Sequence, residues 1–428
     1  MFAWKKKPPD LRVVAGGDSA HLLPKLDEVT ERALKKDREL IVKFISDMKQ
    51  MIFGVRQAFG IRVAVNTWFS RTQVELEGAH VASVLFIGYA GSGKTALADA
   101  LARKFADGGR ELYNKIVGLD DIMPSQLFGW RELVKGEDGK WNEEYREGFI
   151  VPDRPLLTID EFPRLGHAAQ NGAASILSDG EIAIGSFRKR IARAYELLIA
   201  MLSANPPGAT GTHTPGQFLV DRVVAAVIFR TDWRDRAYMR MLTSADDHWE
   251  RVREKGYHLP LLAPKDVMEM YERFRRATAT SEAALDSIIQ LVQAFLTLTE
   301  PRWASSPQFR GKPIPARWKS DRGNMSDAPL IREISDSTLK DPLAREPGGR
   351  MCQHFKMLAQ ADSFFTYGSR TTVVPAIQAM AKAIFTSRVM WGMAEGGQEI
   401  LYSRYDGDIL QFTEDMVDWL VRSVEIKE

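Results

Sequence analysis

Gly88-Tyr89-Ala90-Gly91-Ser92-Gly93-Lys94-Thr95 is a glycine-rich loop closed by a lysine and a hydroxyl. In the pattern G-x-x-x-x-G-K-[ST], glycines let backbone N–H groups wrap an anion. The lysine reaches the β- and γ-phosphates of a nucleoside triphosphate, and the hydroxyl ligates Mg²⁺. Gly88, Gly91, Ser92, Gly93, Lys94, Thr95 and the following Ala96 are therefore candidate nucleotide-binding residues, and Thr95 is also a candidate metal ligand. A second group stands downstream, in Pro155-Leu156-Leu157-Thr158-Ile159-Asp160-Glu161. Asp160 would hold the metal and Glu161 would polarise an attacking water. Asn205, in Leu202-Ser203-Ala204-Asn205-Pro206-Pro207, is either a turn residue ahead of proline or a group that orients that water.

These residues need elements to hold them. Ala82 to Ile87 is an apolar run that reads as a buried strand, and Ala96 to Phe105 has helix formers with an apolar face. A strand, a phosphate loop and a helix N-terminus in that order place the positive end of the helix dipole at the anion. Further strands are expected at Leu112 to Val117, Pro155 to Ile159, Leu197 to Ser203 and Val223 to Phe229, alternating with helical stretches. That alternation implies a parallel sheet covered by helices. Such a sheet gathers its ligands at the carboxyl ends of its strands, which is where Asp160, Glu161 and Asn205 would stand. From about Leu26 to Arg56 a charged amphipathic helix is expected, with Leu40, Ile41, Phe44, Ile45, Met48 and Met51 on one stripe.

From about Arg236 the spacing is helical, with stripes over Pro264 to Arg276, Ser281 to Leu298 and Thr371 to Arg388. Pro301 to Met351 interrupts it with Pro, Gly, Ser and Arg and little periodicity, and basic residues there outnumber acidic ones ten to six. The expected domains are a tail over 1–25, an αβα core over 26–235, and an all-α lid over 236–428 with an insertion near 300–355.

At 428 residues the chain has room for two or three domains. Its 45% hydrophobic and 27% charged content is that of an ordinary globular protein, and a net charge of +2 argues neither for nor against nucleic acid. A single cysteine, Cys352, excludes an internal disulfide framework, and with His354 it falls short of a zinc site. No apolar run approaches the roughly 20 residues of a membrane span, and the basic N-terminus has no apolar segment behind it. The expected location is the cytoplasm.

The residues together resemble the AAA+ ATPases, and within them the MoxR branch, from about Ile52 to Val417. Ile52-Phe53-Gly54 resembles the start of the ATPase domain. Asp121-Ile122-Met123-Pro124-Ser125-Gln126-Leu127-Phe128-Gly129 is similar to "D-L-L-P-S-D-x-x-G", with Gln126 for the acid. Glu147-Gly148-Phe149 and Asp160-Glu161-Phe162-Pro163-Arg164 follow, the latter similar to "D-E-I-N-R" with Pro163 for Asn. Gln170 to Leu177 with Gly180-Glu181-Ile182 resembles the helix and hairpin of the helix-2 insert, near 180–195. Leu262 to Asp266 and Phe412 to Val417 resemble helix starts of the lid.

The resemblance implies an AAA+ P-loop fold with a parallel five-stranded αβα core and an all-α lid. It also implies ATP as substrate with Mg²⁺, and a hexameric ring. It implies roles for Asn205 as sensor 1, Arg222 in Leu219-Val220-Asp221-Arg222 as arginine finger, and Arg370 in Gly368-Ser369-Arg370 as sensor 2. Each arginine would stabilise charge on the γ-phosphoryl oxygens; a surface ion pair is the plain alternative for either. A partner protein to be remodelled or matured is implied as well, often one with a von Willebrand A domain.

Phe187-Arg188-Lys189-Arg190 could meet an acidic protein segment or a phosphate backbone, or be a solvated hairpin tip. Trp303, Phe309 and Trp318 among arginines suit a single-stranded nucleic-acid site, and equally a disordered or subunit-docking loop. Three functions stay open: a protein-remodelling ATPase, a nucleic-acid-directed motor, and an assembly scaffold gated by ATP with slow turnover.

Overall fold

A computed structural model describes residues 23–52, 55–70, 80–137, 139–184, 187–209, 211–230, 262–319, 328–332 and 348–427. The expected tail up to residue 22, Phe53-Gly54, Gly185-Ser186, the start of the helical half over 231–261 and much of the insertion lie outside the described residues.

The chain opens with α1, Glu28–Met51, whose N-cap Asp27 accepts from the Thr30 N–H at 2.7 Å. Its stripe of Leu34, Ile41, Phe44, Ile45 and Met48 is buried. A second helix, α2 (Val55–Thr67), follows where the sequence suggested one continuous helix to Arg56. Then come β1 (His80–Gly88), α3 (Lys94–Ala102), β2 (Tyr113–Val117), α4 (Pro124–Phe128), β3 (Trp130–Lys135), β4 (Trp141–Arg146), β5 (Leu156–Asp160), α5 (His167–Asp179), β6 (Glu181–Ile184), β7 (Phe187–Arg190), β8 (Leu197–Ala204), α6 (Gln217–Arg222) and β9 (Ala225–Phe229).

Five strands form one sheet in the order β2-β5-β8-β1-β9, each pair parallel. β1, β8 and β9 are buried along their whole length, as strands covered on both faces must be. Register aligns Ile87 with Ala204 and Ile159 with Leu202, so β1, β8 and β5 end side by side.

Two antiparallel hairpins, β3–β4 and β6–β7, stand outside this sheet. The second was expected near 180–195 and the first was not. β3–β4 lies in the connection between β2 and β5, and β6–β7 in the connection between β5 and β8.

The helical half contains α7 (Pro264–Ala277), α8 (Glu282–Thr297), α9 (Gly348–Tyr367), α10 (Val374–Gly392), α11 (Glu395–Tyr405) and α12 (Ile409–Ser423). Ser281 caps α8 by accepting from the Ala284 N–H at 3.1 Å, and Asp408 caps α12 by accepting from the Gln411 N–H at 3.0 Å. Phe412 to Val417 thus lies inside α12, whose start is three residues earlier. α10 packs on β9 and covers the free edge of the sheet. No helix among the described residues is long and apolar enough to cross a membrane.

The described part of the insertion is core, not platform. Trp303, Phe309 and Trp318 are 1%, 1% and 3% exposed, and all three pack on Trp419 of α12, with ring centroids 5.6, 4.8 and 5.1 Å away. Their rings are occupied by one another and are not free to stack on bases. Trp419 donates to the Pro313 carbonyl at 2.8 Å, and Trp318 donates to the Tyr405 hydroxyl at 3.0 Å. Trp419→Ala should remove the hub of this cluster and cost about 3–5 kcal/mol, as large-to-small core changes of an aromatic do. Urea unfolding followed by tryptophan fluorescence would measure it; a loss below about 1 kcal/mol would mean that the cluster is peripheral to stability.

Candidate nucleotide and metal site

β1 ends at Gly88, where the backbone of β9 comes so close that only glycine fits: a Cβ there would lie 2.2 Å from the Phe229 carbonyl oxygen. The loop then adopts positive φ at Gly91 (79°) and at Gly93 (88°), a conformation open to glycine at little cost. Gly93 is the N-cap of α3, so the loop delivers the helix N-terminus to the cleft. Buried Gln57 of α2 braces the loop, its amide donating to the Ser92 carbonyl at 3.2 Å.

Lys94, the first residue of α3, is buried to 6% exposure. Its ammonium donates to the carbonyls of Gly88 (2.7 Å) and Tyr89 (2.9 Å) and to Asn205 Oδ1 (3.4 Å). Burial pushes its pKa below the ordinary lysine value, while the charges of Asp160 and Glu161 act the other way. Thr95 Oγ1 donates to Asp160 Oδ1 at 2.8 Å, which puts a hydroxyl and a carboxylate oxygen together at the end of β5. Hydroxyl and carboxylate oxygens are hard donors of the kind Mg²⁺ selects.

Ser203 of β8 organises the acidic pair. Its hydroxyl donates to Asp160 Oδ1 and accepts from the Glu161 N–H at 2.9 Å. Glu161 sits in the left-handed region, φ 51°, unusual for a side chain of its size. Its carbonyl accepts from the Arg164 N–H at 2.8 Å, and its Oε2 accepts from Arg164 Nη1 at 2.5 Å. Both side chains of that ion pair are partly exposed, so it contributes about 0–1 kcal/mol and exchanges readily for other partners.

Ala90 to Ala96, Asp160, Glu161 and Asn205 line one cleft of about 340 Å³. The structure thus brings together the phosphate loop and the candidate metal, water-polarising and water-orienting groups, with Gly88 at the turn just before the lining residues. Ser203, Gln57 and Arg164 were not among the residues singled out from sequence. Ser203 shares the strand face of Asn205 at the two-residue spacing, and that is the one signal that would have pointed to it.

The two arginines stand elsewhere. Arg222 ends α6, its guanidinium donating to Ser178 Oγ, and its carbonyl accepts from Ser83 Oγ at 3.3 Å. Ser83 precedes Gly88 by five positions on β1, roughly 17 Å along a strand, so Arg222 does not line its own chain's cleft. Arg370 donates to the carbonyls of Ala277 (2.8 Å) and Pro24 (2.9 Å), fastening the chain between α9 and α10 to the end of α7. It is not brought to this cleft.

The hairpin tip is also partly committed. Phe187 stacks on Tyr145 of β4 at 4.9 Å, Lys189 lies over the same ring at 5.1 Å, and Arg190 faces Glu181 at 3.8 Å.

No family model matches the chain, and no curated protein matches it in sequence. A solved structure from Cytophaga hutchinsonii, described as a "putative ATPase", matches it with a TM-score of 0.61 and 17% identity, covering 94% of this chain and 99% of that one. At that identity the likeness establishes the fold alone: a five-stranded parallel αβα core followed by a helical half.

Proposed function

We propose that the chain is an AAA+ ATPase of the MoxR type, hydrolysing ATP to ADP and phosphate to remodel, assemble or mature a protein partner. It would work as a ring, taken as a hexamer, in the cytoplasm. One observation carries the reading: Lys94, Thr95, Asp160, Glu161 and Asn205 converge on a single cleft from three adjacent parallel strands. Lys94 and the loop N–H groups would hold the β- and γ-phosphates. Thr95 and Asp160 would hold Mg²⁺, which when bound neutralises developing phosphate charge. Glu161 would accept the proton of the attacking water once its carboxylate leaves Arg164, and Asn205 would orient that water.

The position of Arg222 outside its own chain's cleft supports a trans role: as a finger it would serve a neighbour's cleft. A finger supplied across a subunit boundary makes turnover depend on assembly. Arg370, engaged by two backbone carbonyls, has no part in the chemistry of its own cleft in this arrangement.

The burial of Trp303, Phe309 and Trp318 favours a protein partner over a single-stranded nucleic acid, because it removes the aromatic surface that stacking requires. A partner with a von Willebrand A domain belongs to the resemblance alone. Phosphate release from MgATP, measured with and without DNA, RNA and co-purifying protein, separates the readings. Stimulation by protein alone is expected. Stimulation by nucleic acid that is lost on neutralising Arg188, Lys189 and Arg190 would replace this reading with a nucleic-acid motor, and ATP-dependent oligomers with negligible turnover would replace it with a scaffold.

A further inference from the structure

Arg388 is a cation in the interior of the helical half. It stands on α10 with 1% of its surface exposed, among Phe385, Val389 and other apolar residues of that helix. Removing a guanidinium from water costs several kcal/mol unless partners replace the solvent. Part of the replacement comes from its own helix, where Nη1 donates to the Ile384 carbonyl at 2.7 Å. The charge, however, is met by a residue of the other half of the molecule. Nε lies 3.5 Å from Asp221 Oδ1, and Nη2 donates to the Asp221 carbonyl at 3.5 Å. Asp221 is the residue before Arg222.

The short α6 that carries this pair is therefore gripped from three sides. Arg388 reaches Asp221 from the lid, Ser178 at the end of α5 takes the Arg222 guanidinium, and Ser83 of β1 takes the Arg222 carbonyl. Two of the three grips belong to the core, and α10 alone belongs to the helical half. α10 also packs on β9, the strand that begins just after Arg222. An apolar side chain of similar length at position 388 would fill the same space without the desolvation cost. What it would not do is tie α10 to the backbone and carboxylate of Asp221.

We infer that Arg388 is a positioning residue that couples the seat of lid helix α10 to the Asp221-Arg222 turn, so that the lid of one subunit sets the reach of the finger it offers to the next. The inference rests on the trans reading of Arg222.

A mixed-subunit assay tests it. Full-length chains carrying Lys94→Ala can donate a finger but have no working cleft; chains carrying Arg222→Ala have a cleft but donate no finger. Phosphate release from MgATP is expected from the mixture and from neither chain alone. Arg388→Met added to the finger donor should lower the mixed turnover by roughly tenfold or more with KM little changed, a barrier change of about 1.4 kcal/mol or more. The same substitution added to the cleft donor should leave turnover within about twofold.

Asp221→Asn, at a partly exposed position, breaks the same pair from the other side and should reproduce the asymmetry even if Arg388→Met folds poorly. Equal losses in both placements would mean a merely structural role, and no loss in either would mean no coupling; each overturns the inference. No turnover in the parent mixture would overturn the trans reading of Arg222, and the inference with it.

Discussion

Lys94→Ala should weaken nucleotide binding by roughly 100-fold or more, because charge-assisted hydrogen bonds of this kind are worth about 1.5–3 kcal/mol each and the lysine makes several. Its ammonium already bridges the carbonyls of Gly88 and Tyr89 and the side chain of Asn205, at the floor of the cleft. An anion entering there meets a cation held in place by backbone, with little ordering left to do. Alanine removes the charge and leaves the loop glycines and the helix N-terminus, which bind phosphate on their own more weakly. The fold should survive, since a buried ammonium is itself costly to maintain and alanine favours the first turn of α3. Equilibrium binding of a fluorescent ATP analogue is the measurement; retained tight binding would remove Lys94 from the site.

Glu161→Gln should separate binding from turnover. The amide keeps the shape of the side chain and can still accept a hydrogen bond from Arg164, so the left-handed turn at residue 161 and its bond to Ser203 should be undisturbed. What it cannot do is take a proton from water. A general base contributes about 10²–10⁴ in rate, and turnover should fall by that factor while ATP affinity stays within a few-fold. The same variant should hold ATP-bound assemblies together long enough to capture what they act on. Near-normal phosphate release would transfer the base role to another group, and Asp160 would be the next to examine.

The chemistry of this chain is legible in its sequence because it is local. The phosphate loop, the Asp160-Glu161 pair and Asn205 each end an apolar strand, and a parallel sheet brings strand ends together whatever their separation along the chain. The helical stripes of α7 and α8 were equally readable, since one face of each is wet.

Other elements gave no such contrast. β3 and β4 are exposed on both faces, with Trp130, Leu133 and Trp141 in solvent, so no alternation announces them. The first turns of α9 fell in what read as irregular insertion, beginning at Gly348-Gly349. The aromatic residues of the insertion looked like a binding surface because their partner, Trp419, lies more than a hundred positions away from the first of them. Arg370 sits in a segment that resembles a sensor motif, yet its hydrogen bonds go to two backbone carbonyls that no local pattern could indicate.

The order β2-β5-β8-β1-β9 places β8 between the strand that feeds the phosphate loop and the strand that ends in Asp160. Neighbouring strands are about 4.8 Å apart, so β8 acts as a spacer of fixed width, holding the ends of β1 and β5 roughly 10 Å apart by a hydrogen-bond ladder. Asn205 occupies the middle of that gap, and Ser203 faces the same way two positions earlier. Sliding β8 by a single residue would turn both side chains to the opposite face of the sheet while leaving Lys94 and Glu161 where they are. The tolerance of this site is therefore written in the register of one buried strand.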